Sequence, residues 1–296
     1  YYGAQGVIDH IDDFIFDGTY LLIAEDGENL KSKKQNIAQV VEGQFWVNNH
    51  AHIVQGNELC NTRYLCYLLN SMDLSGYVTG SAQPKLSQAN LNAVTLFLPS
   101  ITVQERIVES LYLFDKKIAV NQKINDNLQQ QAQAIYASMF VDNAEPTWKQ
   151  GHLSDFVIVR YGKDHKKLAD GIYPVYGSGG IMRHVERPLY DKESVLIPRK
   201  GTLNNVMYVN QPFWSVDTMF YTEMRQPNVA KFVYHFVKAK DLASMNAGSA
   251  VPSMTTDILN AMEIVIPPAS VLEEFESLVA PMYRACLLYT SDAADE

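Results

Sequence analysis

Residues near the start of this chain return, in order, past its middle. Tyr2-Gly3-Ala4-Gln5-Gly6-Val7 matches Tyr176-Gly177-Ser178-Gly179-Gly180-Ile181, an offset of 174 (Gly177 against Gly3). At that offset Leu22-Ile23 meets Leu196-Ile197 and Gly27 meets Gly201. Farther on the offset is 168 (Phe213 against Phe45): Phe45-Trp46 meets Phe213-Trp214, and Gly80-Ser81-Ala82 with Pro84 meets Gly248-Ser249-Ala250 with Pro252. Leu98-Pro99 then meets Ile266-Pro267, and Val103 with Glu105 meets Val271 with Glu273. A single change of offset, in the loop between Gly27 and Phe45, accommodates every match. A repeat on this scale calls for one supersecondary unit built twice. At 296 residues the chain has room for two domains, each with its own core.

Between the copies runs Val103 to Phe140, without a Pro or a Gly. Ile107, Leu111, Phe114, Ile118, Asn121, Asn125, Leu128, Ala132, Ile135 and Met139 recur there at alternating steps of four and three. This is the heptad spacing of a helix packed lengthwise on another helix. Such a helix would extend roughly 55 Å at about 1.5 Å per residue. Leu111, Phe114, Ile118, Leu128 and Ile135 are expected in its core, and Asn121 and Asn125 set register at some cost in stability. Thr102 with Glu105 reads as a capping box. The spacing fits a long amphipathic helix on an ordinary core equally well.

The flanking copies read as short strands, so the fold class expected is α+β. Phe14-Ile15-Phe16 and Tyr20 to Ile23 are strand candidates around an Asp17-Gly18 turn, Gln44 to Val54 returns to strand, and Val94 to Leu98 is a last strand before Pro99. Arg63 to Asn70 reads as a helix and Gly80 to Ser87 as a loop, with Ser87 capping the next helix. The second copy repeats this with strands at Phe156 to Val159, Ser194 to Ile197, Val206 to Val209 and Glu263 to Ile266, a helix at Phe232 to Ala239 and a loop at Ala247 to Ser253. The expected domains are 1–102, a spacer helix 103–141, 142–270, the start of a second, truncated spacer helix 271–286, and a tail 287–296 that matches nothing in the other copy. Since Trp148 would align before residue 1, the first copy is expected to lack its opening strand or two.

A hydrophobic content of 47% and a charged content of 19% describe a soluble globular chain. No apolar run is long enough for a membrane span. Three cysteines, Cys60, Cys66 and Cys286, form neither a disulfide framework nor a metal spacing, which points to a cytoplasmic protein. A net charge of −9 argues against broad charge-driven binding of nucleic acid, yet leaves room for a local basic face. Phosphate-loop, H-E-x-x-H and G-x-S-x-G patterns are absent, and Pro267-Pro268 lacks the polar and aromatic neighbours of a methyltransferase motif.

Domain, long helix, domain, second helix: this order resembles the specificity (S) subunits of type I restriction–modification systems. The residues that carry the resemblance are the loop Gly80-Ser81-Ala82-Gln83-Pro84-Lys85-Leu86-Ser87, then Leu98-Pro99, then Val103-Gln104-Glu105-Arg106-Ile107. In the second copy Ser253-Met254-Thr255 stands for Lys85-Leu86-Ser87, and Leu272 replaces Gln104. The resemblance implies a non-catalytic reader of double-stranded DNA with two target recognition domains, each contacting half of a split site. It implies helices that pair antiparallel and dock methyltransferase (modification) subunits, with restriction subunits joining through the complex. The chain itself would bind no cofactor; S-adenosylmethionine, ATP and Mg would belong to the partner subunits. A two-domain coiled-coil scaffold without DNA binding, and the reader portion of a fused restriction–methylation enzyme, are the competing readings.

Phosphate contacts draw on Lys, Arg and backbone N–H, and base readout on Arg, Lys, Asn and Gln. In the first copy the candidates are Lys31, Lys33, Lys34, Gln83 and Lys85. In the second, Arg199, Lys200, Asn204 and Asn205 occupy the aligned loop, Tyr176 and Ser178 a Gly-rich turn, and Lys163, Lys166, Lys167 and Arg183 make the domain locally basic. For helix pairing or partner docking the candidates are Ile107, Leu111, Phe114, Ile118, Asn121, Asn125, Leu128, Ile135 and Met139.

Overall fold

Residues 1–4, 6–32, 35–80, 83–245 and 253–291 are described by a computed structural model of the chain. They fall into two compact units that divide between Ala119 and Val120. In the first, β1 (Tyr2–Gly3) and β2 (Gly6–Val7) form a tight hairpin. β3 (Phe16–Ala24) is followed by a one-turn helix, α1 (Asn29–Ser32), then β4 (Ala38–Phe45) and β5 (Ala51–Val54). The sheet order is β4-β3-β5, all antiparallel. As the central strand, β3 has neighbours on both edges, and Leu21 to Ala24 are buried without alternation. α2 (Thr62–Ser71) lays Leu65, Cys66 and Leu69 on that sheet. α3 (Gln88–Asn92) starts at Ser87, whose hydroxyl accepts from the Asn90 amide at 3.2 Å.

α4 runs unbroken from Ile101 to Ala137 and ends in a wider π-helical turn, Ser138–Asp142. The second unit then opens with β6 (Lys149–His152), α5 (Leu153–Phe156) and β7 (Val157–Tyr161). β8 (Tyr173–Gly177) and β9 (Gly180–Val185) form its hairpin, ahead of β10 (Ser194–Pro198), β11 (Met207–Val209), β12 (Trp214–Ser215) and β13 (Met219–Met224). α6 (Ala230–Lys238), α7 (Thr256–Asn260), β14 (Glu263–Ile266) and α8 (Ala269–Ser291) complete it. Its main sheet, β11-β10-β13-β7, repeats β4-β3-β5 and adds one strand. The hairpins share a register: Tyr2 pairs with Val7 as Tyr176 pairs with Ile181. The parallel bridge from Tyr2 to Val47 recurs as Tyr176 with Ser215. Thr255 caps α7 as Ser87 caps α3.

Several local expectations change. Val94 to Leu98 is not a strand, although its counterpart β14 is. β14 exists because β6 pairs with it, and a strand without a neighbour has no ladder to close. Asp17-Gly18 makes no turn; β3 runs through it, with Gly18 (φ 135°) opposite Gly43 (φ 83°). α4 begins at Ile101, so Thr102 lies inside the helix and forms no capping box with Glu105. Residues Lys33, Lys34, Ser81, Ala82 and most of the loop expected at Ala247 to Ser253 lie outside those described.

The largest correction concerns the seam on α4. Within the first unit, Gln104 and Val108 are the buried positions of the helix, while Ile107, Leu111, Phe114 and Ile118 are exposed. Gln104 locks this face: its Oε1 accepts from the Asn61 amide at 2.9 Å, and its Nε2 donates to the Leu59 and Pro99 carbonyls at 2.8 and 2.9 Å. Steps of four keep residues on the side that meets the unit, and the mixed four-three seam turns away from it. Within the second unit Asn121, Ala132, Tyr136 and Phe140 are buried, whereas Asn125, Leu128, Ile135 and Met139 are only partly so. There α4 and α8 lie antiparallel: Tyr136 meets Phe275 edge-on at 6.2 Å, and the Asn125 carbonyl lies 4.0 Å from Cys286 Sγ. Among the described residues no helix is long and apolar enough to cross a membrane.

Candidate nucleic-acid interface

In the first unit the chain leaves β3 through Glu25, Asp26 and Gly27 (φ 131°). Leu30 is buried and anchors α1, which leaves Lys31 exposed beside it. The Lys31 ammonium donates to the Gly80 carbonyl at 2.6 Å. Gly80 (φ 83°) closes a turn in which a Cβ would come 2.3 Å from the Gln83 carbonyl oxygen, so only glycine fits. Lys85 exchanges backbone hydrogen bonds with Thr79 and pairs with Glu25 at 3.0 Å. Lys31, Gln83 and Lys85 are thereby gathered on one exposed edge.

The second unit holds its loop by the same backbone contacts. The Met254 amide donates to the Arg199 carbonyl at 2.9 Å, as Leu86 does to Glu25 at 2.7 Å. Lys200 bridges Ser253 as Asp26 bridges Lys85. The loop is clamped to the hairpin turn: the Asn205 side-chain amide donates to the Ser178 carbonyl at 2.8 Å, and a Cβ at Gly201 (φ 84°) would come 2.6 Å from Ser178 Oγ. The Arg199 guanidinium lies over the exposed Tyr161 ring, 5.4 Å from its centre, a cation–π contact that aims the charge. The Tyr176 hydroxyl accepts from Gln211 Nε2 at 3.2 Å, and burial pushes its pKa up, so it remains neutral. Gly201, Ser178 and Asn205 thus meet at one place, with Arg199 and Lys200 just before them and the Arg199 guanidinium also donating to the Asp217 carbonyl at 3.4 Å. The arrangement offers cations, an amide and open glycine backbone, the groups that hold phosphate and read base edges.

Over this geometry the family model described as "Type I restriction modification DNA specificity domain" matches the chain twice, at residues 1–130 and 145–273. The chain belongs to that family. A protein of Haemophilus influenzae that carries the name of a type I restriction enzyme specificity subunit is 26% identical over 94% of this chain and 80% of its own length. The EcoprrI specificity subunit of Escherichia coli is 32% identical, over 38% of this chain and 27% of that protein. The crystal structure of the S subunit of a type I restriction–modification system from M. genitalium matches with a TM-score of 0.63 at 14% identity, covering 99% of this chain and 83% of that one. Two specificity domains, strand-rich and with a long helix between them in the sequence, make up the α+β fold.

Other candidates either bond within their own unit or lie exposed on a separate loop. Arg183 donates to Asp170 at 2.6 Å and to the Leu168 carbonyl at 3.1 Å, which ties that segment to β9. Asn204 uses both ends of its amide, donating to Asp241 at 3.0 Å and accepting from the Ala243 amide at 3.0 Å. That donation holds the Asp241 carboxyl below the usual carboxylate range. Lys163, Lys166 and Lys167 are exposed on a separate loop, where the Lys166 amide donates to Asp164 at 3.0 Å. Tyr161 was not foreseen, nor was the bonding role of Gln104, named only as part of the run Val103 to Ile107. An aromatic at a strand end carries no sequence signal of its own, and a glutamine in a polar helix looks like surface until its three bonds are seen.

Proposed function

We propose that each unit reads one half of a split double-stranded DNA site, through its hairpin turn and the loop clamped beside it. The observation that carries this reading is the recurrence of one loop geometry in both units: Arg199 and Lys200 take the backbone places of Glu25 and Asp26, and the first unit presents its cations, Lys31 and Lys85, from α1 and the Gly80 turn instead. Cations there neutralise phosphates, while the exposed Gln83 supplies an amide that can tell one base edge from another and Asn205 holds the second loop to its hairpin turn. Two short readings carried on one chain form one long address. The exposed stripe Ile107, Leu111, Phe114 and Ile118 is the surface on which we place helix pairing and the docking of methyltransferase subunits. Methyl transfer from S-adenosylmethionine and ATP- and Mg-dependent cleavage then belong to modification and restriction subunits, and this chain is not itself an enzyme. Such complexes work in the cytoplasm, where the DNA is.

The test is fluorescence anisotropy of the chain assembled with its methyltransferase subunit, on cognate against scrambled duplex, across a salt series. Arg199→Glu with Lys200→Glu should weaken binding about tenfold or more and lower the slope of log K on log salt by about two. Lys31→Glu with Lys85→Glu should do likewise for the other half-site. Unchanged affinity in both pairs would remove these loops from the interface. A parent complex with no salt-dependent binding would leave the protein-interaction scaffold as the better reading.

A further inference from the structure

Beside each hairpin turn stands an apolar side chain that is exposed and yet seated. In the first unit Ile8, just past β2, is 59% exposed; in the second Met182, on β9, is 60% exposed. They occupy matching places at the 174 offset (Gly177 against Gly3). Each lies across a glycine of the neighbouring strand. A Cβ at Gly3 would come 2.5 Å from Ile8 Cδ1, and one at Gly177 would come 2.5 Å from Met182 Sδ. Neither glycine has a positive φ, so what each provides is room for the side chain above it. Single exposed apolar residues are common and need no explanation. The residues before them, Val7 and Ile181, also match and are 57% and 54% exposed, but of the two pairs Ile8 and Met182 are the one seated on a glycine in both copies. In the first unit Ile8 shares an open hollow of about 390 Å³ with Gly6, Asp26, Gly27, Asn48 and His50, where the Asp26 carboxylate is met by His50 Nδ1 at 2.7 Å, so it fronts the loop assigned to DNA.

A duplex offers such a side chain one apolar partner among its major-groove base edges, the thymine 5-methyl group. We propose that Ile8 and Met182 are the apolar specificity residues of the two units, each contacting a thymine methyl in its own half of the site. This rests on the DNA-reading function proposed above. The polar groups alongside hold the backbone in place, and the fixed apolar tip scores the presence of the methyl.

The experiment uses the chain assembled with its methyltransferase subunit and duplex pools randomised over each half-site. Ile8→Ala and Met182→Ala change surface positions, so their thermal unfolding should match the parent. Met182→Ala should relax the preference for an A·T pair at one position in one half only, and Ile8→Ala should do the same in the other half only. Replacing that thymine by uracil should weaken the parent several-fold and leave the matching variant unaffected. Base preferences unchanged in both variants, or relaxed at a G·C pair, would overturn the inference, while intact salt-dependent binding would keep DNA reading itself. A parent complex that binds no duplex would overturn both.

Discussion

The two units share an architecture and treat one helix face in opposite ways. In the second unit Phe275 and Val279 are fully buried; at the 168 offset (Phe213 against Phe45) their counterparts in the first unit are Ile107 and Leu111, which are exposed. The polar pairs diverge alongside. His235 accepts from the Tyr283 hydroxyl at 2.9 Å and donates from Nδ1 to Gln133 Oε1 at 2.8 Å, inside the core. At the matching positions Tyr67 donates to Asp115 at 2.5 Å on the edge of a groove of about 820 Å³. Lys231 is buried between Glu193 and Glu276, where its counterpart Arg63 meets Glu42 at the surface. In the second unit Tyr136 and Phe140 of α4 pack over these positions. The same apolar pattern is therefore core in one copy and surface in the other. Apolarity permits burial, and neighbouring elements decide it.

The sharpest way to break that contrast is truncation of the aromatic core. Phe275→Ala should cost the second unit about 3–5 kcal/mol in urea unfolding, the usual loss for a buried Phe, while Ile107→Ala should cost under about 1 kcal/mol. Equal losses would erase the distinction between the units.

A smaller effect comes from His235. Burial holds its pKa down at about 4, against an ordinary value of 6.5. The unfolded chain takes up that proton first, so this contribution to stability is complete above about pH 6.5 and is lost as pH falls toward 4. Between pH 7 and pH 5 the second unit should lose about 2 kcal/mol on this account. His235→Gln should flatten the slope, measured by urea melts at each pH. In the first unit Tyr67 stands at this place, and burial moves its hydroxyl further up from the ordinary tyrosine range, so it adds no slope there. An unaltered slope in His235→Gln would show that other groups govern the acid limb.

The smallest effect tests what the units share. Ser87→Ala and Thr255→Ala each remove one side-chain cap and should each cost about 1 kcal/mol. Clearly unequal values would mean that α3 and α7 are not equivalent after all.

Much of the fold was legible because its signals are local. α2 and α6 arise from apolar runs of helical spacing, α3 from the Ser87 cap, and β3 and β10 from unbroken apolar runs. The aligned loops were legible because Gly27 repeats as Gly201, although Arg199 and Lys200 then stand where the first unit carries Glu25 and Asp26. Elsewhere the signal was not local. Val94 to Leu98 reads as strongly as Glu263 to Ile266, and only β6 makes the second of them a strand. Arg183, Asn204 and Lys85 have the chemistry of DNA contacts, and only the structure shows that each also has an acidic neighbour, Asp170, Asp241 and Glu25.

By itself the sequence determined that one unit is built twice, with a helix entered just after Pro99 and again after Pro268, and that the loop around Gly27 returns around Gly201. These are properties of order along the chain, which repetition and turn chemistry make visible. Tertiary structure alone decided which face of α4 is buried, which polar side chains pair with one another, and which exposed apolar side chains lie over a glycine. Burial, pairing and confinement depend on what lies across from a residue in space, and no spacing along the chain records that.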